Sequence, residues 1–454
     1  MTLARTLSRF AIETQWNDLP QVVQHAAVRS NLNWLGCALA GSQTKTLESA
    51  LSASQYLSDH GNLSLIGRSE FVDPSQAAFL NCLSSAAHAF DDTHLQTITH
   101  PTGPVAAVVW ALAEQLSLKG NYLNGKALMR ALAIGMEIEC RLSNAIVNEG
   151  NGAHIGWYMT GLTGGMGAAV AASLLLNLSE DQTVTAMSLA AVQAGGLRAT
   201  HGSMATAFVP AMAARNGLAA ARLVQAGFTS NEHTLDGKNG LLAVLSEQCN
   251  ATLALSQLGH RYEILDNAFK PYPCGIVIHP SIDACIALHQ AGPWAADDIE
   301  SVSLWVHEDT LRLCGRVLPH TLLDAQVSVF HWAAATLIYP TEVLENAELN
   351  RIQDQSLQSL QQIISVQVDK SLQSDQARAR LRTRSGREVN VNVDHATASA
   401  ANPMTDSQLN EKFTSLAMRV FSAEDSLAMR DLSWDLPNLS LPIAWLEKAR
   451  VKDV

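Results

Sequence analysis

The sequence predicts a mainly α-helical protein, with a large all-helical domain formed by both chain ends and a smaller α+β lid domain inserted into it. Three observations predict this. From residue 1 to about 265, apolar residues recur three and four apart, the spacing of amphipathic helices. Near 265 several short runs change to strict alternation, the period of strands. After 397 the helical spacing returns. The expected domains are therefore 1–265 completed by 398–454, with 266–397 as the insert. The cleft between them is the default place for a site.

The elements follow in order. "QVVQHAAVRSNLNWLGCALAG" is a helix that stops on Gly41. "DPSQAAFLNCLSSAAHAF" opens with Asp73 as N-cap and Pro74 in the first helical position. "GKALMRALAIGMEIECRLSNAI" and "EDQTVTAMSLAAVQAGG" are further helices. "TGLTGGMGAAVAASLLLNL" is rich in Gly and Ala, which lets helices approach closely, so it is placed in the middle of a bundle. In the insert, "IESVSLWVH" and "ISVQVD" alternate like strands, and "ARLRTRSGREVNVNV" reads as a hairpin turning at Ser385-Gly386. Between them "DAQVSVFHWAAATLIY" reads as one helix. "NPMTDSQLNEKFTSLAMRVF" is a helix capped by Thr405 or Asp406, expected to pack back on the first domain.

Bulk composition excludes several functions. The 454 residues carry 30 Lys and Arg against 42 Asp and Glu, a net charge of −12, which disfavours nucleic acid or an anionic membrane as partner. Seven scattered cysteines form no Cys-x-x-Cys pair, so reduced thiols in a cytoplasmic protein fit better than a disulfide framework or structural zinc. The N-terminus lacks a signal peptide's apolar core, and no apolar stretch reads as a membrane span. There is no Gly-x-Gly-x-x-Gly after a strand and no Gly-x-Ser-x-Gly elbow.

Four stretches carry titratable chemistry. In "HAFDDTHLQTITHPTGPV" (88–105), Asp91, Asp92 and Thr93 end one helix and His100 precedes the next, beside its positive terminus. A capped polar loop explains this spacing as readily as an acid/base site. His88, His94 and His100 are six apart, which is not a metal-binding spacing on one helix face, and no metal is expected. In "AFKPYPCGIVIHPSIDA" (268–284), Lys270 sits among apolar neighbours and prolines. It could be a base of lowered pKa, a cation for a carboxylate, or a surface lysine at a hinge, while His279 reads as structural. "GAHIGWYMTGLTGG" (152–165) offers His154 and Tyr158 near a Gly-rich helix start. "GGLRATHGSMATAF" (195–208) offers Arg198, His201, Ser203 and Thr206, with Arg198 able to grip a carboxylate bidentately. A polar turn between helices is the plainer reading of these last two.

Taken together and in order, these segments resemble the MmgE/PrpD family, which includes 2-methylcitrate dehydratase, cis-aconitate decarboxylase and iminodisuccinate epimerase. "NWLGCALAG" and "NPMTDSQLNEKF" extend the resemblance almost end to end. It implies a helical domain from both chain ends with an α/β lid, a homodimer, no required cofactor or metal, and a small di- or tricarboxylic acid as substrate. The implied reaction removes a proton next to a carboxylate. A metal-independent lyase resembling 2-methylcitrate dehydratase leads, with an epimerase or racemase of an imino- or amino-dicarboxylate, or a catalytically impaired ligand-binding homologue, as alternatives. The implied catalytic residues are His100, Lys270, Tyr158, Asp92 and Thr93, and the implied substrate-binding residues are Asp91, His154, Arg198 and His201. The chain departs from the family pattern at Ala89 (an Asp in relatives), Tyr158 (His), Thr206 (Lys), Val209 (His) and Leu313 (Tyr in the decarboxylase). It also carries one extra residue between Thr93 and His100.

Overall fold

Helices in the computed structural model, which describes residues 1–57, 61–292 and 294–451, start where the sequence supplies caps. The Asp73 carboxylate accepts the backbone N–H groups of Ser75 and Gln76, and Pro74 opens Pro74–Ala86, where its missing N–H costs nothing. Ser179 with Gln182 and Thr405 with Gln408 form reciprocal capping boxes ahead of Glu180–Ala191 and Asp406–Ala417. The segment expected as one helix over 324–339 is broken instead. Leu322–Ala325 ends, and Val329–Ile338 begins anew because the Ser328 hydroxyl accepts the His331 N–H and competes with helix continuation.

The fold is mainly helical, as the periodicity predicts, with a small mixed sheet in the C-terminal region. Met159–Leu175 lies at the centre of the helical body and is buried along nearly its whole length. Its glycines permit backbone contact with Gly125–Val147: a Cβ on Gly167 would lie 2.6 Å from the Gly135 carbonyl oxygen. The C-terminal helices join the same apolar core. Trp445 stacks on Trp110 at 4.0 Å between centroids, and Leu409 and Phe413 are buried with them.

A second core gathers residues between Tyr272 and Leu381. Its sheet has the order 364–368, 299–306, 377–383, 388–393. Ile299–Val306 runs parallel to Ile364–Val368 and antiparallel to Ala377–Thr383. Alternate residues of Ala377–Thr383 are buried, and the helices His279–Gln290 and Val329–Ile338 belong to the same core. Among the described residues no helix is long and apolar enough to cross a membrane.

One element was not expected. Asp92–His94 forms a short strand, antiparallel to Asn267–Phe269, with Asp92 opposite Phe269. It lies between Pro74–Ala86 and Thr102–Ser117, where the sequence suggested only a loop, and it ties the helical body to residues 267–269, just before the second core.

Candidate active site

That strand pair sets the chemistry. With Asp92 opposite Phe269, the next step of the antiparallel register brings Asp91 to Lys270. Lys270 Nζ donates to Asp91 Oδ1 at 2.6 Å and to the Ala89 carbonyl at 3.3 Å, and both side chains are largely sealed from water. Burial alone would raise the Asp91 carboxyl. The Lys270 ammonium and the His100 ring outweigh it and hold the group below the usual carboxylate range.

Successive strand residues face opposite sides, so Asp91 and Asp92 cannot share a task. Asp92 turns into the core, where its Oδ2 accepts from Asn267 Nδ2 at 2.6 Å and from both the hydroxyl and the N–H of Thr102, at the start of Thr102–Ser117. Burial pushes this carboxyl up to about 6. The implied place of Asp92 among the catalytic residues is thus corrected: its side chain bonds within the core, and only its backbone carbonyl reaches His100. His100 Nδ1 lies 2.7 Å from this oxygen, which can only accept, so Nδ1 carries the proton. Thr93 Oγ1 is 3.2 Å from the same nitrogen, and Thr160 Oγ1 accepts the His100 N–H at 2.8 Å. Nε2 is left with its lone pair and no hydrogen-bond partner among the described residues. Burial lowers the ring to about 4, so it is neutral near neutral pH.

The third component is a loop. The Tyr158 N–H donates to the Gly196 carbonyl and the Arg198 N–H to the Gly156 carbonyl, which pins residues 196–198 against 156–158. Gly202 closes the turn at φ +83°, and a Cβ there would meet the Arg316 guanidinium at 2.6 Å. Tyr158 stands between two imidazoles, edge-on to His100 at 5.9 Å and to His201 at 5.1 Å. Burial raises its phenol, keeping it protonated. Arg198 Nε and Nη1 and His201 Nε2 are sealed from water without a hydrogen-bond partner. Burial lowers both groups, His201 to about 3.

Asp91, His100, Tyr158, Arg198, His201 and Lys270 line one cavity of about 70 Å³. Ala89, Thr206 and Leu313 line it too, so with Tyr158 four of the five positions that depart from the family pattern lie on its wall. Val209 packs behind it, against Gly161 and Gly196. Thr93 touches the site only through His100. His154 is not brought in: it is exposed, and its Nδ1 accepts the Gly156 N–H within its own turn.

Two features escaped the sequence reading. Lys412, on Asp406–Ala417, is buried beneath the site. Its Nζ donates to Asn33 Oδ1 (2.7 Å), the Phe90 carbonyl (2.7 Å) and the Lys270 carbonyl (2.8 Å), and lies 4.0 Å from the centroid of the Phe90 ring. It therefore clamps the backbone on both sides of the Asp91–Lys270 pair, and burial lowers it to about 8. The "EKF" in which it sits reads as helix and as part of the family resemblance, with no role for the lysine. The second feature is a buried chain of side-chain hydrogen bonds behind the 93–100 loop. It runs from Thr163 through Ser143, Thr99 and Thr97 to His94 and Glu263. This chain holds Ile98 at φ +53°, a costly conformation for a β-branched residue.

His94, Glu263 and Asp266 bring three potential ligand atoms within 4.8 Å of one another. The Arg261 guanidinium already lies 2.5 Å from Asp266 and 3.8 Å from Glu263, so the acidic charge there has a cation.

Residues 5–254 match the MmgE/PrpD N-terminal domain and residues 272–436 the MmgE/PrpD C-terminal domain. The chain belongs to the MmgE/PrpD family. It is 27% identical to the cis-aconitate decarboxylase-like protein oryM of Aspergillus oryzae over 448 residues, covering 92% of this chain and 91% of that one. It is also 27% identical to the cis-aconitate decarboxylase of Mus musculus, over 71% of this chain and 67% of the mouse protein. The Homo sapiens enzyme of the same name is 28% identical over 60% and 56%. Membership makes the chain an enzyme-family protein directed at small carboxylic acids.

Proposed function

We propose that this protein is a lyase that removes a proton next to a carboxylate of a small acid and expels a leaving group from the neighbouring carbon. One observation carries the reading. His100 offers a free Nε2 lone pair in the same cavity where the Arg198 guanidinium has no partner. In the proposed step, Arg198 binds the substrate carboxylate and Nε2 takes the α-proton. The C–H electron pair becomes a C=C bond as the β C–O bond breaks. The departing oxygen collects the Tyr158 proton and leaves as water, and the imidazolium and tyrosinate are reset by proton return from His100 through solvent. Arg198 stabilises the enolate-like charge that builds on the carboxylate, while Lys270 stays paired with Asp91. The carboxylate also raises the basicity of His100 when it binds, because a nearby anion favours imidazolium. The proposal keeps three features implied by the resemblance: 266–397 as a lid over a body made of 1–265 and 398–454, a homodimer, and chemistry that requires no metal.

Incubation with small hydroxy acids in deuterium oxide tests it. Deuterium at the α-carbon together with net loss of water is expected, and both disappear in His100→Gln. Undiminished exchange in that variant overturns the assignment of the base. Exchange without net conversion assigns an epimerase instead.

A further inference from the structure

The geometry points to a substrate that presents one carboxylate to Arg198 and His201 and a neutral, largely apolar remainder to the rest of the cavity. This inference rests on reading the cavity as the active site. It sharpens the substrate from small carboxylic acids in general to monocarboxylic acids.

The argument begins with what is unsatisfied. Buried polar groups in folded proteins nearly always have partners, so three orphaned nitrogens in one turn need an explanation. Arg198 Nε, Arg198 Nη1 and His201 Nε2 are such a set, three residues apart on the same wall. A carboxylate has two oxygens with about four acceptor sites and can engage one edge of the guanidinium together with His201 Nε2.

The remaining charges are already spent. Lys270 is paired with Asp91 at 2.6 Å. Burial keeps His100 and His201 neutral. The charged side chains that line the cavity thus sum to one positive charge, that of Arg198. One bound carboxylate brings this to zero. A second or third would enter a largely buried pocket whose one unpaired cation is already met, which is unfavourable.

The rest of the lining agrees. Ile98, Val277, Leu313 and Val327 supply hydrocarbon, and Thr206, the polar group on that side of the turn, already donates its hydroxyl to the Thr200 carbonyl. The cavity of about 70 Å³ lies well below the roughly 300–1,000 Å³ of ordinary ligand pockets, so the remainder is short.

The test measures binding of β-hydroxybutyrate, malate and citrate to the full chain by calorimetry, with deuterium exchange followed in parallel. β-Hydroxybutyrate is expected to bind at least about tenfold more tightly than malate, and malate more tightly than citrate, with the preference lost in Arg198→Met. Leu313→Lys, which adds a second cation to the wall, is expected to turn the order toward malate. Tighter binding of malate or citrate by the unaltered protein overturns the single-carboxylate inference and leaves the lyase reading standing. Absence of binding and of exchange with all three overturns both.

Discussion

Asp91 and Lys270 form one wall of the cavity, and Arg198 with His201 forms another. The first wall is nearly saturated: Asp91 and the Ala89 carbonyl take two of the three Lys270 donors, and Asn33, Phe90 and the Lys270 carbonyl take all three of Lys412. The second has three sealed nitrogens without partners. Both are charged, buried and built from short loops, so residue type alone does not separate them. What separates them is spare hydrogen-bonding capacity. A group whose partners all lie within the chain fixes geometry, whereas unpartnered nitrogens on residues of the cavity wall leave capacity for a ligand.

Substitutions that leave the Asp91 carboxylate without its cation sharpen the comparison most. Lys270→Ala is expected to cost about 3–5 kcal/mol, the usual result of stranding one member of a buried pair, read from urea unfolding. Retention of parental stability would break the claim that this wall is structural as well as chemical. Lys412→Met removes no cavity-lining atom but frees three buried acceptors, for an expected loss of about 1–3 kcal/mol. Its turnover should fall more than its KM rises, because the backbone around the ion pair shifts while the Arg198 clamp stays.

Acid probes the neutral side of the comparison. His88, His100, His201 and His279 are lowered from 6.5 to about 4, 4, 3 and 3, burial being the main cause in each. Between those values the unfolded chain binds more protons than the folded one. Stability is therefore full above about pH 6.5 and falls as pH drops toward 4, by up to about 1.4 kcal/mol per pH unit for each ring. Asp92, raised from 3.8 to about 6, Glu137, raised from 4.5 to about 7, and Glu139, raised by burial, work in the opposite sense and soften the slope. Urea midpoints at about pH 7 and about pH 5 check the direction.

Smaller effects belong to strain and to the unsaturated wall. Ala89 holds φ +49°, and Ala89→Gly should relieve about 1 kcal/mol of left-handed strain, visible as a raised Tm. Arg198→Met should change stability by less than about 1 kcal/mol while abolishing carboxylate binding, because the guanidinium has no partner to strand. A large loss of stability in Arg198→Met would erase the distinction between the two walls.

Much of this was legible in the residues. Asp73-Pro74 and Thr405 marked helix starts because capping is local, and the alternation of 377–393 marked strands because burial on one face writes itself into every second residue. The strand at 92–94 was not legible: three residues are too few to show a period, and its partner lies at 267–269. That omission explains the misplaced Asp92, since only a strand puts neighbouring aspartates on opposite faces. His154 and Arg198 looked equivalent as polar residues in turns. The difference between them, one exposed and bonded within its own turn, the other sealed without a partner, is a property of packing. Lys412 looked like an ordinary helix lysine, because its three acceptors come from segments at 33, 90 and 270.

The reach of the Lys412 clamp also sets an order of assembly. Asp91 and Lys270 are 179 residues apart, and Phe90 and Lys412 are 322 apart. At the roughly 5–20 residues per second of ribosomal synthesis, the aspartate emerges about 10–40 s before its lysine. Until then its carboxylate has no buried counter-charge, and entry into the core is unfavourable. The floor of the cavity therefore sets late in synthesis, after the surrounding helices have had time to form.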